Sequence, residues 1–139
     1  MIYYTENESK TYEIAKKIGQ NAKKGDIYCL CGDLGVGKTV FAKGFAKGLG
    51  IEEHITSPTF TIVNQYKKGD LTFCHFDAYR VEESDEMLNI GFEDYLSEDN
   101  ICLIEWANLI EDIIPKSAVY IKISKDYEKD TDYRKIEVI

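Results

Sequence analysis

Gly32-Asp33-Leu34-Gly35-Val36-Gly37-Lys38-Thr39 carries the pattern G-x-x-x-x-G-K-[ST], the spelling of a loop that wraps nucleotide phosphates. The residue types follow from the task. Gly32, Gly35 and Gly37 let the backbone bend and turn successive N–H groups inward toward an anion. Asp33, Leu34 and Val36 offer backbone amides at the intervening positions. Lys38 supplies a mobile cation for the outer phosphates, and the Thr39 hydroxyl can sit on Mg2+. The start of the following helix adds the positive end of its dipole. The flanks agree. Ile27-Tyr28-Cys29-Leu30-Cys31 is a short apolar run suited to a buried strand. Phe41, Ala42, Phe45, Ala46 and Leu49 recur at helical spacing, with Gly48 or Gly50 to end the helix. Strand, loop and helix in that order predict nucleotide binding; a glycine-rich turn with a coincidental Lys-Thr is the alternative.

The 139 residues suffice for one domain with a real core, and 1–139 is read as one P-loop nucleotide-binding domain. Hydrophobic residues make up 44%, which excludes a disordered chain. No apolar stretch approaches the length of a membrane helix, so no membrane association is expected. Met1 to Glu6 shows no basic segment followed by an apolar one. The four cysteines, Cys29, Cys31, Cys74 and Cys102, all lie in apolar strand-like runs without zinc-site spacing. They read as free thiols in a reducing cytoplasm. The net charge of −8 disfavours direct nucleic-acid binding. If RNA is involved, a partner should hold it.

Ile2-Tyr3-Tyr4 reads as an edge strand, and Thr5-Glu6-Asn7-Glu8 fits a capping box with Thr5 as N-cap. A helix follows, with Tyr12, Ile14, Ala15, Ile18 and Ala22 toward the core. Ser57-Pro58-Thr59-Phe60-Thr61-Ile62-Val63 begins as a rigid turn and becomes a strand, with Thr59 and Thr61 on one side. Tyr66 to Leu71 reads as a hairpin turn, and Leu71 to Asp77 as the returning strand. An antiparallel hairpin makes the sheet mixed. Ser84 is placed as the cap of a short helix that Gly91 breaks. Asn100 to Glu105 is a buried strand, and Leu109, Ile110, Ile113 and Ile114 suggest a helical turn stopped by Pro115. Val119 to Ile123 and Tyr133 to Ile139 alternate as a terminal hairpin. The expectation is an α/β three-layer sandwich with a mixed parallel and antiparallel central sheet.

A phosphate loop needs an acid near the metal, at the carboxyl end of another buried strand. Ile101-Cys102-Leu103-Ile104-Glu105 has that form. Glu105 can hold Mg2+, directly or through water, or orient the attacking water. The bland reading is an acid marking the strand's exit. In His75-Phe76-Asp77-Ala78-Tyr79-Arg80, an extended chain puts His75, Asp77 and Tyr79 on one face. Asp77 is the candidate for positioning water, and Arg80 for neutralising phosphate or pinning an acid. His75 and Tyr79 also read as satisfied core residues. Thr59 sits where a switch loop senses the γ-phosphate, or is an ordinary strand-starting threonine. Trp106, taken alone, reads as core.

Taken together, Gly-Asp-Leu-Gly-Val-Gly-Lys-Thr, Ser-Pro-Thr-Phe-Thr-Ile-Val, His-Phe-Asp-Ala-Tyr-Arg and Ile-Glu-Trp, in that order, resemble the TsaE (YjeE) family of tRNA threonylcarbamoyladenosine biosynthesis ATPases. The resemblance runs from Thr5 to the final hairpin. It implies ATP held by Gly32 to Thr39, with Mg2+ at Thr39 and Glu105. It implies a switch-like role for Thr59 and a functional role for Asp77, and it brings Trp106 near the site. It also implies the partners TsaB and TsaD, with tRNA met only through their complex. Val36 stands where a smaller alanine is usual, and Ala107-Asn108 follows Trp106 where proline or another residue is common. For adenine contacts, the segment around Thr5 to Glu8 is the candidate.

Two other classes share the phosphate loop. A small-molecule kinase usually has a basic lid, whereas 82–99 is acidic, with Glu82, Glu83, Asp85, Glu86, Glu93, Asp94, Glu98 and Asp99. A GTP-dependent switch would carry an Asn-Lys-x-Asp guanine signature, which this sequence lacks.

Overall fold

Parallel pairing explains why so many strands here are apolar on both faces. The computed structural model describes residues 1–32, 37–126, 128–129 and 131–139. At its centre β2 (Ile27–Cys31) lies parallel to β5 (Asn100–Glu105), with Leu30 opposite Glu105. On the far side of β5 runs β4 (Leu71–Asp77), also parallel, with Asp77 opposite Glu105. On the other flank β6 (Val119–Lys125) pairs parallel to β2. Antiparallel strands close each side: β3 (Val63–Lys68) on β4, and β7 (Arg134–Val138) on β6, with β1 (Ile2–Thr5) outside β7. The order is β1-β7-β6-β2-β5-β4-β3, the mixed sheet that the hairpins predict.

Strand alternation sorts the core into two layers. Tyr28, Leu30, Phe73, Ile101, Leu103 and Ile121 point to one face. There they meet α1 (Glu8–Asn21) and α2 (Lys38–Gly48) through Ala15, Phe41 and Phe45. Phe45 is fully buried, with its ring 5.0 Å from Tyr28 and 5.7 Å from Phe73. Burying such a side chain is worth about 1.5–3 kcal/mol. On the opposite face Ile27, Cys29, Cys74, Phe76, Cys102 and Ile104 are covered by short elements. These are α3 (Ser84–Asn89), α4 (Phe92–Tyr95) and two 3-10 turns at Ala107–Leu109 and Glu111–Ile113. They bring Met87, Phe92, Ala107 and Ile110. The result is the predicted three-layer sandwich. No helix among the described residues is long and apolar enough to cross a membrane.

Several local expectations are corrected. Thr5 is not the N-cap: it ends β1, buried, with its hydroxyl 2.7 Å from that of Thr11. Asn7 caps α1 instead, its side-chain oxygen accepting from the Lys10 amide at 2.9 Å. The strand in Thr5's place has simply moved the first free amides two residues on. Ser84 opens α3 without capping it, because its hydroxyl is taken by Asp112. The segment after Trp106 makes two 3-10 turns, split at Ile110, in place of one helical turn.

Helices α1 and α2 approach so closely that side chains cannot stand between them. A Cβ placed on Gly44 would collide with the carbonyl oxygen of Tyr12 and crowd the Ala15 methyl. In an isolated helix alanine would beat glycine by about 1 kcal/mol. Here the sign reverses, because overpacking a tight contact costs about 1–3 kcal/mol. Gly44→Ala is expected to lower the thermal midpoint by several degrees, read by circular dichroism; a rise would refute the close approach.

The thiols behave as core. Burial pushes the Cys29 thiol up to about 12 and raises that of Cys31 as well. Cys29, Cys74 and Cys102 are buried, whereas Cys31 is half-buried. At pH 8 the native protein should be alkylated at Cys31 first, with the other three reacting only after unfolding, as peptide mass spectrometry would resolve.

Candidate functional site

Three parallel strands end at the same edge of the sheet, and each delivers one piece of the site. β2 runs out through Cys31 into Gly32, β4 ends at Asp77, and β5 ends at Glu105. In open α/β sheets this carboxyl edge is where ligands bind. α2 begins directly above it, with Gly37 in the left-handed region at φ 101° and Lys38 in its first turn. Only glycine takes that backbone without strain. A cleft of about 400 Å³ opens here, lined by Gly37, Lys38, Thr39, Thr59, Asp77 and Glu105 together with Trp106.

Of the predicted phosphate loop, Asp33, Leu34, Gly35 and Val36 lie outside the described residues. The ends of the loop are described. Lys38 Nζ donates to the Gly32 carbonyl at 2.7 Å, which draws the two ends of the loop together. The same ammonium lies 3.5 Å from the centre of the Trp106 ring, a cation–π contact. Lys38 is buried, at 6% exposure, while Thr39 is exposed at the mouth of the cleft.

Asp77 and Glu105 are 5% and 4% exposed, and their Cα positions are paired across the β4–β5 ladder. Each is held by hydrogen bonds, as a buried charge requires. Asp77 Oδ2 accepts from the Thr59 hydroxyl at 3.0 Å, and Oδ1 accepts from the Tyr79 amide at 2.9 Å. Glu105 Oε2 lies 2.6 Å from His75 Nε2, with His75 itself 1% exposed. His75, Asp77 and Glu105 share the face of the sheet that α2 covers, because they alternate with Phe76 and Ile104 on the other.

Thr59 reaches Asp77 from a loop with an unusual backbone. The Ile62 amide donates to the Pro58 carbonyl at 2.7 Å, closing a tight turn, and Ile62 sits at φ 71°. For a β-branched residue that is a strained conformation, worth about 1–3 kcal/mol. The Ile62 carbonyl then accepts the Asp77 amide at 2.8 Å, so the loop is pinned to the end of β4. Ser57 joins in, its hydroxyl 2.7 Å from that of Thr59.

Sequence-predicted residues thus divide. Lys38, Thr39, Thr59, Asp77 and Glu105 meet at one cleft, and His75 stands behind Glu105. Thr61 does not share the side of Thr59; the turn at 58–62 rotates it away to Asn64, 3.0 Å distant. Tyr79 lies beyond the end of β4 and is exposed, so the shared face stops at Asp77. Arg80 takes no part in the cleft: its guanidinium lies 4.4 Å from the ring centre of exposed Phe60. Trp106 is not simply core. At φ 60° its backbone swings the indole over Lys38, with the Tyr79 ring 4.9 Å away. From the stretch Thr5 to Glu8, Glu8 lines the cleft while Thr5 faces inward. The Lys38–Trp106 contact left no signal in either local segment, since 68 positions separate the two partners.

The family model described as "Threonylcarbamoyl adenosine biosynthesis protein TsaE" matches residues 5–136. A Bacillus subtilis protein named as the tRNA threonylcarbamoyladenosine biosynthesis protein TsaE is 46% identical over 121 residues, covering 87% of this chain and 75% of its own length. The Haemophilus influenzae protein of the same name is 34% identical, covering 98% of this chain and 87% of its own. The crystal structure of Bacillus subtilis YdiB superposes with a TM-score of 0.82 at 39% identity, covering 98% of this chain and 82% of that one. With residues 5–136 of its 139 matched by that family model, the chain belongs to the TsaE family.

Proposed function

We propose that this protein binds ATP with Mg2+ and hydrolyses it slowly, as the cytoplasmic ATPase of tRNA threonylcarbamoyladenosine biosynthesis, acting with TsaB and TsaD. One observation carries the reading. A phosphate-loop lysine and threonine face two buried carboxylates across a single cleft, in a chain of the TsaE family. The names of its relatives place those proteins in threonylcarbamoyladenosine biosynthesis.

The residues fit the metal. Among the described residues no cluster of three or more His, Cys, Asp or Glu could hold a metal by itself. Mg2+ does not need one: it keeps several waters and takes one or two protein oxygens plus phosphate oxygens. The Thr39 hydroxyl and the Glu105 carboxylate would supply the protein's share. When bound, the ion neutralises charge on the β- and γ-phosphate oxygens.

The chain's own groups do the rest. Backbone amides of Gly32 to Thr39 would cradle the phosphates, with Lys38 transferring its bond from the Gly32 carbonyl to a phosphate oxygen. Asp77 is held on both oxygens yet keeps lone pairs for a water, since a carboxylate accepts at about four sites. Thr59 can exchange Asp77 for the γ-phosphate, which couples the 57–62 loop to the nucleotide state. The net charge of −8 suits a protein that meets tRNA only through a partner complex.

Nucleotide binding should draw Lys38 off the indole of Trp106, the only tryptophan. ATP titration is therefore expected to change tryptophan emission, with ATP favoured over GTP. Lys38→Ala should abolish that change and weaken ATP binding by tens to about a hundred-fold, the value of a charged hydrogen bond. Unaltered binding in the variant would end the nucleotide assignment. Glu105→Gln should keep the fold and nucleotide affinity but cut Mg2+-dependent hydrolysis, measured with TsaB and TsaD present, by about 100-fold or more. Transfer of labelled phosphate to a metabolite, in place of release as inorganic phosphate, would indicate a kinase instead.

A further inference from the structure

We propose that His75 is a positioning residue that fixes the orientation of the Glu105 carboxylate, an inference that rests on the assignment of Glu105 to the nucleotide and metal site. The Nε2–Oε2 distance is 2.6 Å, and the two side chains are 1% and 5% exposed. An ionised carboxylate only accepts hydrogen bonds, so the proton between them belongs to Nε2. The other ring nitrogen, Nδ1, is buried with no hydrogen-bond partner among the described residues. A neutral imidazole protonated at Nε2 leaves a bare lone pair there, whereas the other tautomer would bury an unpartnered N–H.

That orphan separates a structural histidine from a positioning one. Buried polar atoms are nearly always satisfied, and one that is not calls for a reason. Asn64, the ring's partner across the β3–β4 ladder, spends its side-chain amide on Thr61 and Thr56 instead of on the ring. Phe73 stacks beside it at 6.0 Å and 11°, and Leu103 is its partner across the ladder. A leucine or phenylalanine would fill that slot without a bare Nδ1, but it would leave Glu105 Oε2 without the donor that holds it. The single polar service the ring performs is the bond to Glu105.

The geometry makes that service useful. His75 reaches Glu105 diagonally, since the residue opposite Glu105 on β4 is Asp77. The Phe73 stack and the strand backbone hold the ring, so the donor is fixed. Tied at Oε2, the carboxyl group has one plane, and Oε1 has one direction. Without the tie, the Asp77 charge opposite would push the carboxylate toward other rotamers. Groups that orient a metal-site carboxylate typically matter by about 10–100-fold in affinity or activity.

The test compares His75→Leu, which removes the donor, with His75→Gln, whose amide can donate from nearly the same place. Long-range 1H–15N spectra of the wild-type imidazole should show Nε2 protonated and Nδ1 bare, without nucleotide or metal. Glu105→Gln should move the Nε2–H resonance upfield, because the charged acceptor is gone. In ATP hydrolysis with Mg2+, TsaB and TsaD, His75→Leu should lose about 10–100-fold in kcat with little change in KM. His75→Gln should recover most of it. Equal loss in both variants, or protonation at Nδ1, would overturn the proposal. So would full kcat in His75→Leu beside an impaired Glu105→Gln. Full hydrolysis in Glu105→Gln would instead remove the Glu105 assignment itself, whatever the imidazole spectra showed.

Discussion

The register between β4 and β5 sets everything that happens at the cleft. Asp77 lies opposite Glu105, and both strands run parallel to β2, so all three end at one edge. Because side chains alternate along a strand, a shift of one residue would turn both carboxylates to the face of α3 and α4, away from the phosphate loop. The register is held from below by Phe73 and Leu103 on one face and Cys74, Phe76 and Ile104 on the other. Burial of those side chains fixes the strand, and the strand fixes the acids.

What the core positions, it also desolvates. Lys38, Asp77 and Glu105 are all nearly buried, with two carboxylates side by side and one ammonium facing them. Buried charges are tolerated only when bonded. Here each has a partner: Lys38 the Gly32 carbonyl and the Trp106 ring, Asp77 the Thr59 hydroxyl and Tyr79 amide, Glu105 the His75 ring. A cleft built of such contacts is organised by the fold of the chain alone.

Backbone strain appears where these partners must be delivered. Ile62 and Trp106 are the non-glycine residues at positive φ among the described residues, and both adjoin the site. Ile62 closes the turn that carries Thr59 and offers its carbonyl to the Asp77 amide. Trp106 turns sharply after Glu105, and its indole covers Lys38. Each conformation costs on the order of 1–3 kcal/mol and is sustained by the packing around it.

Much of this was legible in residue order. The phosphate-loop spelling, its strand and helix, the acid closing an apolar run at Glu105 and a hairpin turn within Tyr66 to Leu71, which the strands narrow to Gly69 and Asp70, are local patterns, set by spacing and turn chemistry. The ordered motifs also marked the family. Caps were misread at Thr5 and Ser84, where another element had already claimed the hydroxyl. Only the folded sheet could place Glu105 opposite Asp77 or lay His75 against it. It alone could bring Trp106 over Lys38. Those relations join residues far apart in the chain, and they depend on strand order and register, which no single segment encodes.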